Sequence, residues 1–241
     1  MSKIYEALQR ANVEVLKDSP PIPAYRPDVA PSPSELVIEN EIRVYQNLAA
    51  LVPDPTRKII QFIGSRKGEG TSTVVREFAR VSALKFGKSV LLLDAEYYHP
   101  TQHLFFNIQP EFGWQDVVGD RGAIDKALYQ VGDTRLFLCP RSQNSTTSSQ
   151  ISSLQMDIFL KKLRERFDLV LIDSQPATTS TDSLSISSKV DGVVFIVEAE
   201  KTRWPVAETT KERIQRSGGK ILGVVLNRRR NHIPDWIYKR L

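Results

Sequence analysis

At 241 residues, with 41% hydrophobic and 25% charged side chains, the chain has the size and makeup of one globular domain with appendages. A net charge of +5 permits an acidic partner or a membrane surface without requiring one, and a single cysteine, Cys139, excludes an intramolecular disulfide. No apolar run approaches a membrane span and Met1 to Glu6 do not read as a signal peptide, so the expectation is a cytoplasmic protein.

In chain order, Ile4, Ala7, Leu8 and Ala11, with Val15 beyond, share one face after a Ser2 cap, which predicts an amphipathic helix within residues 1–17. Six prolines between Ser19 and Pro33 make 18–34 an extended linker without the apolar content to fold. The helix is therefore tethered, and either folds back on its own domain or contacts a partner. Leu36, Ile42, Tyr45, Leu48 and Ala49 predict a leading helix over 35–51, stopped by Pro53. From Lys58, apolar runs alternate with helical patterns. Strands are predicted at 58–64, 89–94, 135–139, 168–173, 191–198 and 220–226. Helices are predicted at 73–86, 151–166, 182–188 and 205–217, with shorter helical pieces at 114–118 and 123–130. Val/Ile/Leu-rich strands separated by helices define an α/β, doubly wound, mostly parallel sheet over 35–229. Cys139 reads as core filler in its strand. The last residues, 230–241, are a basic tail.

Gly68-Glu69-Gly70-Thr71-Ser72-Thr73 follow the first strand and open the next helix, the position of the phosphate cradle in P-loop nucleotide hydrolases. Glycines at 64, 68 and 70 let successive N–H groups turn inward as an anion nest, reinforced by the helix N-terminus. Ser72 stands where a hydroxyl ligates Mg²⁺, and Thr73 can cap the helix or touch a phosphate. The Lys expected before Ser72 is Thr71. Such a loop can hold ATP while lacking a principal group for acting on it, unless Arg66 or Lys67 substitutes. Two strands deliver acids at their carboxyl ends, Asp94 followed by Glu96, and Asp173, placed to converge on the loop's Mg²⁺.

These segments, with Pro100 and His103, the run Phe167 to Pro176 with Asp182, Val190 to Val193 and Leu222 to Arg228, resemble the cytoplasmic module of the bacterial tyrosine kinases (BY-kinases) of capsular and exopolysaccharide systems. That family sits within the deviant-Walker ATPases, alongside the division-site and partition ATPases. The resemblance implies that residues 68–73 bind phosphates, that Ser72 and Asp173 serve Mg²⁺, that Asp94 assists attack on the γ-phosphate with Glu96 nearby, and that Asn227 sits by the adenine. Arg66 takes the place of the partition ATPases' signature Lys, though a guanidinium is not equivalent to an ammonium. Three residues depart from the kinase pattern: Thr71 for Lys, Glu96 for Asp and Tyr98 for Arg. The family's C-terminal tyrosine cluster is reduced to Tyr238, and Glu41 with Arg43 keep a fragment of its ring-forming motif.

The resulting expectation is a kinase-like component of exopolysaccharide or capsule synthesis and export, regulatory or scaffolding, with weak or absent ATP turnover. Its expected partner is a membrane polysaccharide co-polymerase, the chain-length-control protein, which places it peripherally at the inner face of the plasma membrane. Self-association is a further partner expectation. Residues 227–241 mix five basic residues with Trp236, Ile237 and Leu241, and read either as a contact for an anionic membrane surface or as a solvated end. Nucleic-acid binding is not expected, since no aromatic stacking platform accompanies the charge. His99 and His103 lack the intervening glutamate of a zinc-protease helix. The alternatives are an active Mg-ATP-dependent tyrosine autokinase and a positioning ATPase that cycles on a membrane.

Overall fold

The computed structural model describes residues 58–119, 122–142 and 151–228, together with residue 46. The chain divides into two units, Met1–Pro53 and Asp54–Leu241, and the fold below belongs to the second. The predicted N-terminal helix, the Pro-rich linker, nearly all of the leading helix and the basic tail lie outside the described residues.

Seven strands form one sheet: β1 (Lys58–Gly64), β2 (Val90–Ala95), β3 (Tyr129–Gln130), β4 (Leu136–Cys139), β5 (Leu169–Ser174), β6 (Gly192–Glu198) and β7 (Ile221–Asn227). Their spatial order is β3-β4-β2-β5-β1-β6-β7, and every pairing is parallel except β3 with β4. The helices are α1 (Thr71–Leu84), α2 (Gln102–Phe105), α3 (Trp114–Val118), α4 (Ser153–Arg166), α5 (Thr181–Ser187) and α6 (Trp204–Arg216), with a 3₁₀ turn at Ile124–Ala127. The predicted strands are all present within one or two residues of their expected bounds.

Period-two alternation divides the strands between two layers of helix. Ile59, Leu91, Leu93, Val170 and Ile172 pack with Trp114 of α3 and Phe159, Leu160 and Leu163 of α4. Further along the sheet, Ile63, Val193, Phe195 and Val197 pack with Ile214 of α6. On the opposite face, Phe62 meets Phe78 of α1 at 5.8 Å between ring centroids. Burial on both sides is why these strands read as continuous apolar runs rather than alternating ones. Cys139 is buried, as core filler should be. One polar side chain interrupts the core: Gln61 donates to Ser174 Oγ and the Ser183 carbonyl and accepts from Ser187 Oγ, so its burial leaves no group unpaired.

Three local expectations are corrected. The helix predicted from Thr73 starts at Thr71, because Gly70 takes the cap position in a left-handed conformation (φ 88°) with no side-chain cap; Thr73 is the helix's third residue and does not cap it. The helical piece expected over 123–130 shrinks to one 3₁₀ turn, since Tyr129 and Gln130 are drawn into antiparallel pairing with Leu138 and Phe137. A short helix, Gln102–Phe105, forms where none was predicted. By contrast α4 begins where its capping box dictates, with Ser152 Oγ accepting from Gln155 N and Gln155 Oε1 accepting from Ser152 N.

Candidate nucleotide and cation site

Residues 65–70 connect β1 to α1, and three neighbouring segments fix the loop's course. Ala177 N donates to the Gly64 carbonyl at 2.9 Å, and Thr178 Oγ1 to the Ser65 carbonyl at 2.5 Å. From the end of β7, Asn227 Nδ2 donates to the Glu69 carbonyl at 2.8 Å and Arg228 Nη1 to the Gly68 carbonyl at 2.8 Å. Glu69 turns its own carboxylate inward: Oε2 accepts from the Ser65 and Arg66 amides at 2.5 and 3.0 Å, and Oε1 accepts from Thr202 Oγ1 at 2.6 Å. Carbonyls tied to these donors leave the start of α1 free to aim the amides of Thr71 and Ser72 at an anion, while those of Thr73 and Val74 already donate to the Gly70 carbonyl. Gly70 is required twice over, by its positive φ and by space, since a Cβ there would lie 2.2 Å from Asn227 Nδ2.

Asp94 and Asp173 are side by side. They are register partners on β2 and β5 and lie on the α1 face, Asp94 wholly buried and Asp173 1% exposed. Asp94 accepts from the Glu96 and Gln102 amides at 3.1 and 3.3 Å. Burial, then the charge of Asp173, holds the Asp94 carboxyl well above its usual range; burial foremost lifts Asp173 to about 6, opposed by hydrogen bonds from Gln102 and Ser72. Four buried polar atoms around this pair and the loop have no hydrogen-bond partner: Ser65 Oγ, Arg76 Nε, Gln102 Oε1 and Asp173 Oδ1. Buried orphans of this kind suit a site that takes up an ion, a ligand or water. The donor set is oxygen-rich and anionic, which fits Mg²⁺. Ser72 and Asp173 would hold the cation and the 68–73 backbone the phosphates.

The remaining expected residues are more scattered. Glu96, half-buried, accepts from the Tyr98 amide at 3.0 Å, and its charge reaches both Asp94 and Asp173. Arg66 donates to the Lys201 carbonyl at 3.0 Å, and its guanidinium is exposed. Thr71 sends its hydroxyl toward Gly64, where a Cβ would meet it at 2.9 Å. Asn227 and Thr73 stand at the loop, one through its amide and the other within the first turn of α1.

Three contributors escaped the sequence reading. Gln102 bridges the acid pair and the loop. Arg76, one turn after Ser72 on α1, lies 3.8 Å over the Phe105 ring and is the cation whose field reaches Asp173. Arg228, itself in a left-handed conformation (φ 55°), joins Gly68 to Glu198, whose carboxyl is kept below its usual range first by Lys201 and then by Arg228. Gln102 and Arg228 adjoin flagged residues, His103 and Asn227; nothing local in the sequence marks Arg76.

Beyond the acid pair, on the face toward α4 and α5, a cleft of about 720 Å³ is lined by Ala95, Trp114, Arg141, Gln175, Ser183 and Lys189 among others. Its cations are engaged, Arg141 stacking 3.4 Å over Tyr97 and Lys189 bonding Ser153 and Asp157. No helix among the described residues is long and apolar enough to cross a membrane.

A parallel sheet, a glycine loop running into a helix and paired acids at adjoining strand ends together define the fold of the P-loop NTPases. No family model matches the sequence. The tyrosine-protein kinase YwqD of Bacillus subtilis is 25% identical over 196 residues, 81% of this chain and 82% of that protein. The tyrosine-protein kinase ptk of Acinetobacter johnsonii is 23% identical over 91% of this chain, which spans only 30% of that longer protein. Among solved structures, the kinase domain of the Escherichia coli tyrosine kinase ETK superposes with a TM-score of 0.75 at 18% identity, covering 88% of this chain and 86% of that one. The septum site-determining protein MinD of Pyrococcus horikoshii, complexed with Mg-ADP, gives 0.62 at 18% identity over 76% of each chain. In sequence and in fold the chain is similar to bacterial tyrosine-protein kinases.

Proposed function

We propose that the protein is a kinase-like P-loop component of an exopolysaccharide or capsule synthesis and export system, one that binds Mg-nucleotide and turns it over weakly or not at all. The observation that carries this reading is a loop fully braced by Glu69, Asn227 and Arg228 beside a buried acid pair, with Thr71 where the catalytic Lys belongs. Binding and chemistry are separable in such a loop. Backbone N–H groups of residues 68–73 and the N-terminus of α1 hold phosphates, and none of them depends on residue 71. Charge stabilisation in the transition state does depend on it, at about 10²–10³ in rate per lost donor. A bound Mg²⁺ would supply further charge neutralisation and orient the phosphates. Ser72 and Asp173 would position it, beside Asp94, whose carboxyl holds its proton more readily than an ordinary one.

The polysaccharide setting and the partner, a membrane chain-length-control protein, rest on the likeness to tyrosine kinases of that class. The active-autokinase alternative has one specific feature in its favour. Arg76 is a largely buried cation whose Nε makes no hydrogen bond, and its charge acts on Asp173, so a basic group remains within the site. Calorimetric titration with Mg-ATP, followed by phosphotyrosine detection after incubation with Mg-ATP and the partner, tests both readings. Saturable heat without phosphotyrosine is the expected result. Phosphotyrosine would support the alternative, and no heat would overturn nucleotide binding altogether.

A further inference from the structure

Gln102 is the first residue of α2 and is completely buried. Its Nε2 donates to Asp173 Oδ2 at 2.7 Å and to the Ser72 carbonyl at 3.0 Å, and its main-chain N–H donates to Asp94 Oδ2 at 3.3 Å. Both side-chain partners are acceptors, so only the NH₂ end of the amide can face them. Oε1 is thereby left buried without a partner, as is Asp173 Oδ1. An amide that spends its donors on one carboxylate and one carbonyl while its acceptor stands idle is arranged for charge compensation rather than for its own satisfaction.

The two oxygens it bridges belong to the very residues, Ser72 and Asp173, that the nucleotide reading assigns to the cation. The Ser72 hydroxyl also bonds Asp173. N–H groups pointing between these residues supply the partial positive charge a cation would otherwise bring. They also exclude it, because Mg²⁺ needs close oxygen contacts in a near-octahedral shell, and an N–H dipole directed at the same carboxylate oxygen repels it.

We propose that the Gln102 side chain is a stand-in for the divalent cation, holding Asp173 and Ser72 in register in the metal-free protein and withdrawing from between them when the cation binds. Gln102 is on this account a positioning residue that competes with the metal. The inference rests on the reading of Ser72 and Asp173 as the cation site.

The test uses the full chain and Mn²⁺ as the probe, with affinity measured by electron paramagnetic resonance with and without ADP. Gln102→Leu removes the competing N–H groups at similar volume, and is expected to bind Mn²⁺ several-fold more tightly than the unmodified protein. Equal or weaker binding would overturn the stand-in role while leaving the cation site intact. Should Gln102→Leu fail to fold, the unmodified protein decides the matter: its Gln102 side-chain NH₂ resonances, titrated with Mg²⁺, are expected to shift and to exchange faster with water. Resonances that stay fixed while the Ser72 amide responds would overturn the proposal. Absence of Mn²⁺ binding in both proteins, even with ADP, would overturn the nucleotide reading and this inference together.

Discussion

Asp94 and Asp173 occupy paired positions on adjacent parallel strands, their carboxylates buried on one face of the sheet with amide donors and the Ser72 hydroxyl as their close hydrogen-bond partners. Neighbouring strands lie about 4.8 Å apart, so two ionised groups in this register repel strongly in a medium that solvates neither. A proton or a cation relieves the repulsion. The fold is therefore carrying an electrostatic load that the site's ligand would remove.

That load gives stability a pH dependence of definite sign. Asp173 is raised from 3.8 to about 6, so the neutral acid is favoured in the folded chain. The contribution is full below the unfolded pKa and is lost as pH rises through about 6. In chelator, the melting temperature is expected to fall between about pH 4 and pH 7 through this group, and Asp173→Asn to flatten the fall and raise stability at neutral pH. Calorimetric scans across that range check it; a variant less stable than the parent at pH 7 would contradict the account.

The two loop glycines should differ in substitution. Gly68 and Gly70 both have positive φ, but a Cβ at 68 meets nothing within 4 Å, whereas one at 70 collides with Asn227 Nδ2. Gly68→Ala should cost about 1–2 kcal/mol in backbone strain and leave nucleotide affinity largely in place. Gly70→Ala should cost more and displace Asn227, weakening nucleotide binding. Denaturant melts and ADP titrations of the pair separate the two effects; equal losses would show that φ alone matters.

Glu69 braces the loop through three donors, so Glu69→Ala strands two amides and a hydroxyl at once. Each unmet buried donor costs about 1–3 kcal/mol. The expected outcome is a lower melting temperature, with faster hydrogen exchange at Ser65 and Arg66 than at strand amides such as Leu171. Unchanged exchange at those two residues would mean that the loop holds its shape without the carboxylate.

How far the sequence could be read followed from how local each signal was. Runs such as Leu91 to Leu93 and Val193 to Val197 announce strands because burial on two faces demands apolar side chains at every position. The loop glycines and the terminal acids are also local signals, tied to strand ends by the fold class. Gln102, Arg76 and Thr202 are different. Each acts across 30 or more residues of chain, and an isolated Gln or Arg carries no mark of the carboxylate it will meet. The two-residue β3 was missed for a related reason: Tyr129 and Gln130 are a strand only because Leu138 and Phe137 pair with them.

The central claim is that the loop is complete except for one charge, and the rate of Mg-ATP hydrolysis by the unmodified chain and by Thr71→Lys, at saturating nucleotide, tests it most directly. The account predicts bound nucleotide with little turnover in the first and a rise of about 10²–10³ in the second. Equal rates in the two proteins would contradict it, by showing that Lys at 71 is not the missing part.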